Sequence, residues 1–272
     1  MNSMEVVLRR LAREPAVLVR VHATRGSVPR EVGAWMAVFA KDALGSVGGG
    51  HLELQATQIA RAHLDNPGAL PEFQRYALGP SLGQCCGGDV QLRFEYLTAA
   101  DAATLSPRLM QAHAPVVLFG GGHVGQALVR VLSTLPLKIH WIDSRDEVFP
   151  ADIPAHVACD NVDPVQSAVV GLAPGACVLI MSFSHAEDLE LVAACLLRQR
   201  QHADLRYIGL IGSRTKWARF RARLRERGYT DDELDAVTSP IGVPGIAGKQ
   251  PEVIAVAVAA QILQCLSAYA TG

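Results

Sequence analysis

From residue 116 onward the chain alternates short apolar runs with longer mixed ones, and this alternation limits its fold more than any other feature. Residues 116–119, 138–142, 156–158, 178–181 and 207–211 read as strands. Residues 125–135, 164–171, 186–200 and 214–227 read as helices between them. Strands buried on both faces are apolar throughout, and this repetition builds a parallel, doubly wound sheet. A Rossmann-like domain over 114–272 is the expectation.

The first 107 residues follow another pattern. A helix is expected over 6–13, strands over 16–23 and 35–40, and a helix over 51–63 behind the glycine cluster 45–50. Strands over 72–78 and 90–96 complete a small sheet, an α+β domain spanning 1–107. The stretch 97–115 reads as a linking helix or linker, with the boundary near 107–114. The expected fold class is thus α/β, an N-terminal α+β domain followed by a Rossmann-like doubly wound parallel-sheet domain.

Charge excludes one broad class of function. Lysine and arginine total 25 against 26 acidic residues, so no nucleic-acid footprint is expected. The start, MNSMEVVLRRLAREP, has no apolar core of the kind a secretory signal carries. The apolar stretch 253–266 is interrupted by Gln261 and Gln264 and falls short of the roughly 20 residues of a membrane span. A cytoplasmic protein that meets no membrane is the expectation. Four of the six cysteines, Cys159, Cys177, Cys195 and Cys265, sit among Ala, Val and Leu and read as small core residues.

Chemistry concentrates at two places. Gly120, Gly122 and Gly125 form a G-x-G-x-x-G turn directly after an expected strand. Such a turn brings backbone amides close to a phosphate at a helix N-terminus. Asp143 ends the next strand, at the spacing where an acid meets a ribose hydroxyl. NAD, another nucleotide and some other phosphorylated small molecule all satisfy this pattern, as does a turn kept for packing. His123 stands inside the turn, and Arg145 is within reach of a phosphate. Ser184 and His185 lie in a polar cluster, with Ser182, Glu187 and Asp188, at the carboxyl end of the strand 178–181. That is a ligand position in open α/β sheets, although Ser184 followed by Glu187 also resembles a capping box. The helix 214–227 carries Lys216, Arg219, Arg221, Arg223, Arg225 and Arg227; it reads as a solvated basic face or a dock for an acidic partner.

The second place is Gln84-Cys85-Cys86-Gly87-Gly88. Adjacent cysteines rarely bridge each other, and two soft donors in one loop suit a soft metal or sulfur transfer. No second ligand pair at zinc spacing accompanies them.

Taken together, the motifs resemble those of the XdhC/CoxI family of xanthine dehydrogenase accessory proteins. The matching segments are Gly26-Ser27-Val28-Pro29-Arg30, Gly48-Gly49-Gly50-His51-Leu52-Glu53, the cysteine segment, Phe119 to Gly125, Ile208 to Arg214, and Ser239-Pro240-Ile241-Gly242. The resemblance implies a chaperone rather than a metabolic enzyme. Such proteins bind the molybdenum cofactor, protect it while a cysteine desulfurase supplies its sulfido ligand, and pass it to apo xanthine dehydrogenase. It implies that Cys85 and Cys86 handle the molybdenum end, and that Gly120, Gly122, Gly125 and His123 meet the phosphate. Arg30, Gly49 and Gly50 are expected to line an opposite wall. Many relatives carry cysteine where this chain has His51. Two alternatives stay open: an NAD(P)-dependent oxidoreductase, and a sulfurtransferase with a persulfide on Cys85 or Cys86. Oligomeric state is open as well, a homodimer included.

Overall fold

A computed structural model describes residues 3–64, 66, 68, 71–78, 88–109 and 113–270. The chain forms two units, Met1–Gln111 and Ala112–Gly272.

The first unit is organised by β1 (Ala16–Arg25), whose valines alternate with other residues. Val17, Val19 and Val21 point to one face of the sheet, Ala16 and Leu18 to the other. Around it stand β2 (Trp35–Val38), β3 (Ala43–Gly45), β4 (Phe73–Ala77) and β5 (Asp89–Leu97), in the order β3-β2-β1-β5-β4. All pairings are antiparallel. The valine face packs on α2 (Gly50–Leu64), which presents Leu52, Ala56 and Ala60 at four-residue intervals, a single helical stripe. The other face packs on α1 (Ser3–Leu11) and α3 (Ala102–Leu109) through Val7, Leu11, Leu105 and Leu109. The first helix therefore starts and ends earlier than the expected 6–13. The edge strand β3, three residues long, is too short to show in the pattern.

The second unit has a six-stranded parallel sheet: β6 (Ala114–Phe119), β7 (Leu137–Asp143), β8 (Ala158–Asn161), β9 (Cys177–Ile180), β10 (Tyr207–Leu210) and β11 (Val237–Thr238). The order is β11-β10-β9-β6-β7-β8. The chain steps outward from β6 through β7 to β8, then returns to the other side of β6 as β9. This reversal creates a crevice outside the carboxyl ends of β6 and β9, the ligand position in doubly wound folds. The Rossmann-like expectation is met.

One layer over the sheet is built by α5 (His185–His202), α6 (Arg214–Glu226), α7 (Asp231–Asp235) and a 3-10 helix, Val165–Gly171. The other is built by α4 (His123–Leu132) and α8 (Pro251–Ala270). Three sequence expectations need correction. The first crossover helix starts at His123 rather than at Gly125. The third strand is Ala158–Asn161, because pairing with β7 begins one residue after buried Val157. The last helix runs through Gln261 and Gln264 for 20 residues and is long and apolar enough for a membrane span by those criteria. Its inner residues Ala255, Val258, Ala259 and Ile262 belong to the core over the sheet. Gln261 is an anchor there, its Oε1 accepting from Tyr207 Oη and from the Gly242 amide, both at 2.7 Å.

Candidate functional site

The turn after β6 owes its shape to two glycines. Gly120 has φ +123°, and a Cβ there would stand 2.0 Å from the Met181 carbonyl oxygen. A Cβ on Gly125 would stand 2.1 Å from the Gly120 carbonyl oxygen, so α4 can start this close to the strand only with glycine. Gly122 differs. It is exposed, no atom lies within 4 Å of a Cβ built on it, and it caps α4 without a side-chain hydrogen bond. His123, the first residue of α4, is exposed beside it. Two glycines thus serve the chain's own packing, and the third leaves open space at a helix N-terminus with unsatisfied amides.

Asp143 stands at the end of β7 with only 1 % of its side chain exposed. Oδ2 accepts from the Gly121 amide at 2.6 Å and from Arg145 Nη2 at 2.9 Å. Oδ1 accepts from the amide and Nε of Arg145, both at 2.9 Å. The acid expected to meet a ribose is therefore engaged by its own chain, where it fixes the glycine turn. Burial pushes its carboxyl upward, but the Arg145 fork and the two amides outweigh that and hold it below the ordinary value. A lowered folded pKa contributes stability that is present above the ordinary 3.8 and is lost as pH falls through the folded value. Asp143→Asn is expected to cost about 2–3 kcal/mol at pH 7, as a buried charge-assisted network would, with the gap to wild type narrowing below pH ~4. Urea unfolding between pH 3 and 6 reads this directly, and a gap that stays constant would show that the carboxylate is not what anchors the turn.

The loops after β7 and β9 meet across the end of β6. Ser144 Oγ donates to Glu187 Oε1 at 2.6 Å. Arg145 lies 4.9 Å from the centroid of the exposed Phe183 ring. Ser184 caps α5 by accepting from the Glu187 amide at 3.2 Å. The capping-box resemblance is thus half realised, since the Glu187 carboxylate reaches to Ser144 instead. His185 is exposed at the first turn of α5. Next to it lies a largely buried pair that joins Asp188 of the expected polar cluster to Lys216 of the expected basic helix face. Lys216 Nζ donates to Asp188 Oδ2 at 2.5 Å and to the Ile211 carbonyl at 2.9 Å. The amide and hydroxyl of Ser182 donate to Asp188 Oδ1, both at 2.8 Å. Much of the remaining basic helix is neutralised by the chain itself: Arg221 and Arg225 by Asp231, Arg221 also by Asp235, and Arg227 by Glu190.

In the first unit, three of the quoted motifs come together. A Cβ on Gly48 would stand 2.5 Å from Pro29 Cγ, and one on Gly88 would stand 2.1 Å from the Ser27 carbonyl oxygen. The loop 26–30 is thereby in contact with the glycine cluster and with the residue that ends the cysteine segment. Cys85 and Cys86 themselves lie outside the described residues. Gly49 faces open space, as Gly122 does. Glu53, quoted in its motif but given no role there, ties the cluster together: its Oε2 accepts from Ser46 Oγ at 2.6 Å, Val47 N at 3.2 Å and Gly49 N at 3.1 Å. Gly50 begins α2, and among the described residues the Arg30 guanidinium meets only Glu31, at 3.3 Å on the surface. His51 is exposed and contacts Gln55 at 3.0 Å. Among the described residues no group of three or more His, Cys, Asp or Glu gathers as a metal site. Of the other cysteines, Cys177 and Cys195 are buried thiols that burial pushes up to about 12, which suits inert core positions.

A Rossmann strand order, a glycine turn fixed by an internally satisfied acid, and an α+β unit with a second glycine cluster define a two-unit protein of the Rossmann class. The comparisons with known proteins narrow this further. The XdhC Rossmann domain matches residues 116–262, more than half of the chain, and the XdhC and CoxI family matches residues 10–76. The chain belongs to the XdhC family. It is 26% identical over 258 residues to the Uncharacterized protein YqeB of Escherichia coli (strain K12), covering 92% of this chain and 43% of that one. The chain thus spans less than half the length of that curated relative. A crystal structure of a xanthine dehydrogenase from Bacillus halodurans is similar over 98% of this chain and 96% of that one, with a TM-score of 0.77 and 20% identity. At that identity the likeness speaks for the fold alone.

Proposed function

We propose that this protein is an accessory factor of xanthine dehydrogenase maturation that carries the molybdenum cofactor as cargo and performs no turnover of its own. Family membership over parts of both units supports the general role. The observation that carries the choice of cargo is the state of the glycine turn. It is open at Gly122, yet the acid that would read a ribose is satisfied by Gly121 and Arg145. A phosphorylated pterin needs the first feature and has no use for the second.

In this reading the domains are 1–107 and 114–272. The cargo's phosphate meets the amides beside Gly120, Gly122, His123 and Gly125. Its molybdenum meets the thiolates of Cys85 and Cys86, soft donors suited to that metal. Arg30, Gly49 and Gly50 belong to the same unit as the thiols and contribute to that end; Ser184 and His185 border the phosphate end. The protein, cytoplasmic, shields the cofactor while a cysteine desulfurase supplies the sulfido ligand, then yields it to apo xanthine dehydrogenase.

The test is anaerobic titration of the full chain with released cofactor, counting molybdenum retained after gel filtration. Near-stoichiometric retention is expected, falling at least tenfold in a Cys85→Ala/Cys86→Ala variant that stays folded. Retention unchanged in that variant would remove the thiols from the site. No retention at all, together with tight NAD binding, would return the protein to the dinucleotide-dependent oxidoreductases.

A further inference from the structure

Antiparallel pairing in the N-terminal sheet sets two arginines side by side. Arg20 of β1 stands directly opposite Arg93 of β5. Residues paired this way share a face, with Cβ atoms about 5 Å apart. Trp35 of β2 lies opposite Arg20, and Phe73 of β4 lies opposite Arg93. The row across the sheet therefore reads Trp35, Arg20, Arg93, Phe73.

Like charges directly opposite each other destabilise a sheet, and the usual remedy is a nearby carboxylate. Here the chain supplies it only in part. Arg20 is half-buried, makes no ion pair or side-chain hydrogen bond among the described residues, and has a buried Nε without a partner. The Nε of Arg93 is likewise buried and unpartnered. Its outer nitrogen reaches Glu72 only at 3.5 Å, and its guanidinium carbon stands 5.9 Å from the Phe73 ring centroid. Glu95, two residues along the same face, is already taken: both its oxygens accept from Arg108 Nη2, at 2.6 and 2.5 Å. Leu18, Arg20, Arg93 and Glu95 line a shallow hollow, with enclosed space for about one water, that opens to solvent.

We propose that this hollow binds a phosphate-type dianion, free or as a monoester, held between Arg20 and Arg93. Two guanidinium forks offer paired N–H groups that match the oxygens of a tetrahedral oxyanion, and the buried Nε–H groups gain acceptors. A dianion cancels the charge of the pair, which a carboxylate would only halve, and the Arg108 partner offsets the charge of the neighbouring Glu95. The opening to solvent leaves room for an ester substituent. The site is built from the first unit alone and does not depend on the cargo assigned to the glycine turn of the second.

The experiment follows the arginine side-chain Nε–H signals of the full-length protein by NMR. They are assigned with Arg20→Lys and Arg93→Lys variants and titrated with inorganic phosphate, glycerol 3-phosphate and acetate at constant ionic strength. The Arg20 and Arg93 signals are expected to move together with one dissociation constant, at least tenfold lower for phosphate than for acetate. A lower constant for the ester than for phosphate assigns the site to an esterified ligand, and the reverse assigns it to the free anion. In Arg20→Gln the Arg93 response weakens at least tenfold; in Arg20→Lys, which keeps the charge and loses the fork, it weakens less. Signals that stay in place up to saturating phosphate, or an Arg93 response unchanged in both Arg20 variants, would overturn the proposal.

Discussion

Gly120→Ala is expected to lose about 3 kcal/mol or more of stability, while Gly122→Ser, two residues away in the same motif, loses none. At Gly120 the backbone has φ +123°, and the new methyl group would meet the Met181 carbonyl oxygen at 2.0 Å. That oxygen is fixed backbone just past the end of β9, so the clash cannot be relieved by a side-chain rotation. Gly122 has φ −71° and ψ −177°, ordinary extended backbone for an N-cap, and no atom near its would-be Cβ. A serine hydroxyl there can accept from the first amides of α4, which now lack a side-chain cap, and is expected to add a few tenths of a kcal/mol. The same side chain would fill the space through which a phosphate reaches those amides, so retention of molybdenum cofactor is expected to fall at least tenfold. Denaturation midpoints and molybdenum retention of the two variants separate the packing glycine from the ligand-facing one. Full retention by Gly122→Ser would mean that the phosphate does not sit on this turn.

The same distinction explains how much could be read without coordinates. The second unit was legible because its strands are buried on both faces and therefore apolar without interruption, as β6 and β9 are. β8 was misplaced because it is a short strand with a polar second half, and its apolar neighbours Val157 and Val162 lie outside the paired residues. β3 and β11, of three and two residues, carry no period that a sequence can display. The G-x-G-x-x-G turn showed where a ligand could approach. It could not show that Asp143 is already satisfied, because the partners of a carboxylate depend on the rotamer of Arg145 and on the Gly121 amide. Glu53 left a fainter trace: an acid in the first turn of a helix behind a small-residue run resembles the acid half of a capping box. Arg20 and Arg93 left none, since 73 positions separate them and only the register of β1 against β5 brings them together.

Lys216→Met is expected to cost about 3–5 kcal/mol, the loss typical of stripping one partner from a buried ion pair. Lys216 is 11 % exposed and Asp188 2 %, so removing the ammonium leaves a carboxylate that solvent cannot reach. The pair holds more than itself. Asp188 gathers the amide and hydroxyl of Ser182, and Lys216 holds the Ile211 carbonyl, so one network fixes the loops that follow β9 and β10. Adding Asp188→Asn to Lys216→Met removes the stranded charge and is expected to recover about 1–3 kcal/mol of the loss. Arg219→Ala, on the exposed side of the same helix, is expected to stay within ~0.5 kcal/mol of wild type. Chemical denaturation of wild type, Lys216→Met, Asp188→Asn and the double variant measures the coupling, with Arg219→Ala as the control, and strictly additive losses would show that the contact carries no interaction energy. The network also reaches the candidate site: Ser182 follows Met181, whose carbonyl oxygen stands where any side chain at Gly120 would have to go. Lys216→Met is therefore expected to lower cofactor retention as well as stability, although Lys216 need not touch the ligand. The double variant, with the charge removed, should recover part of both together.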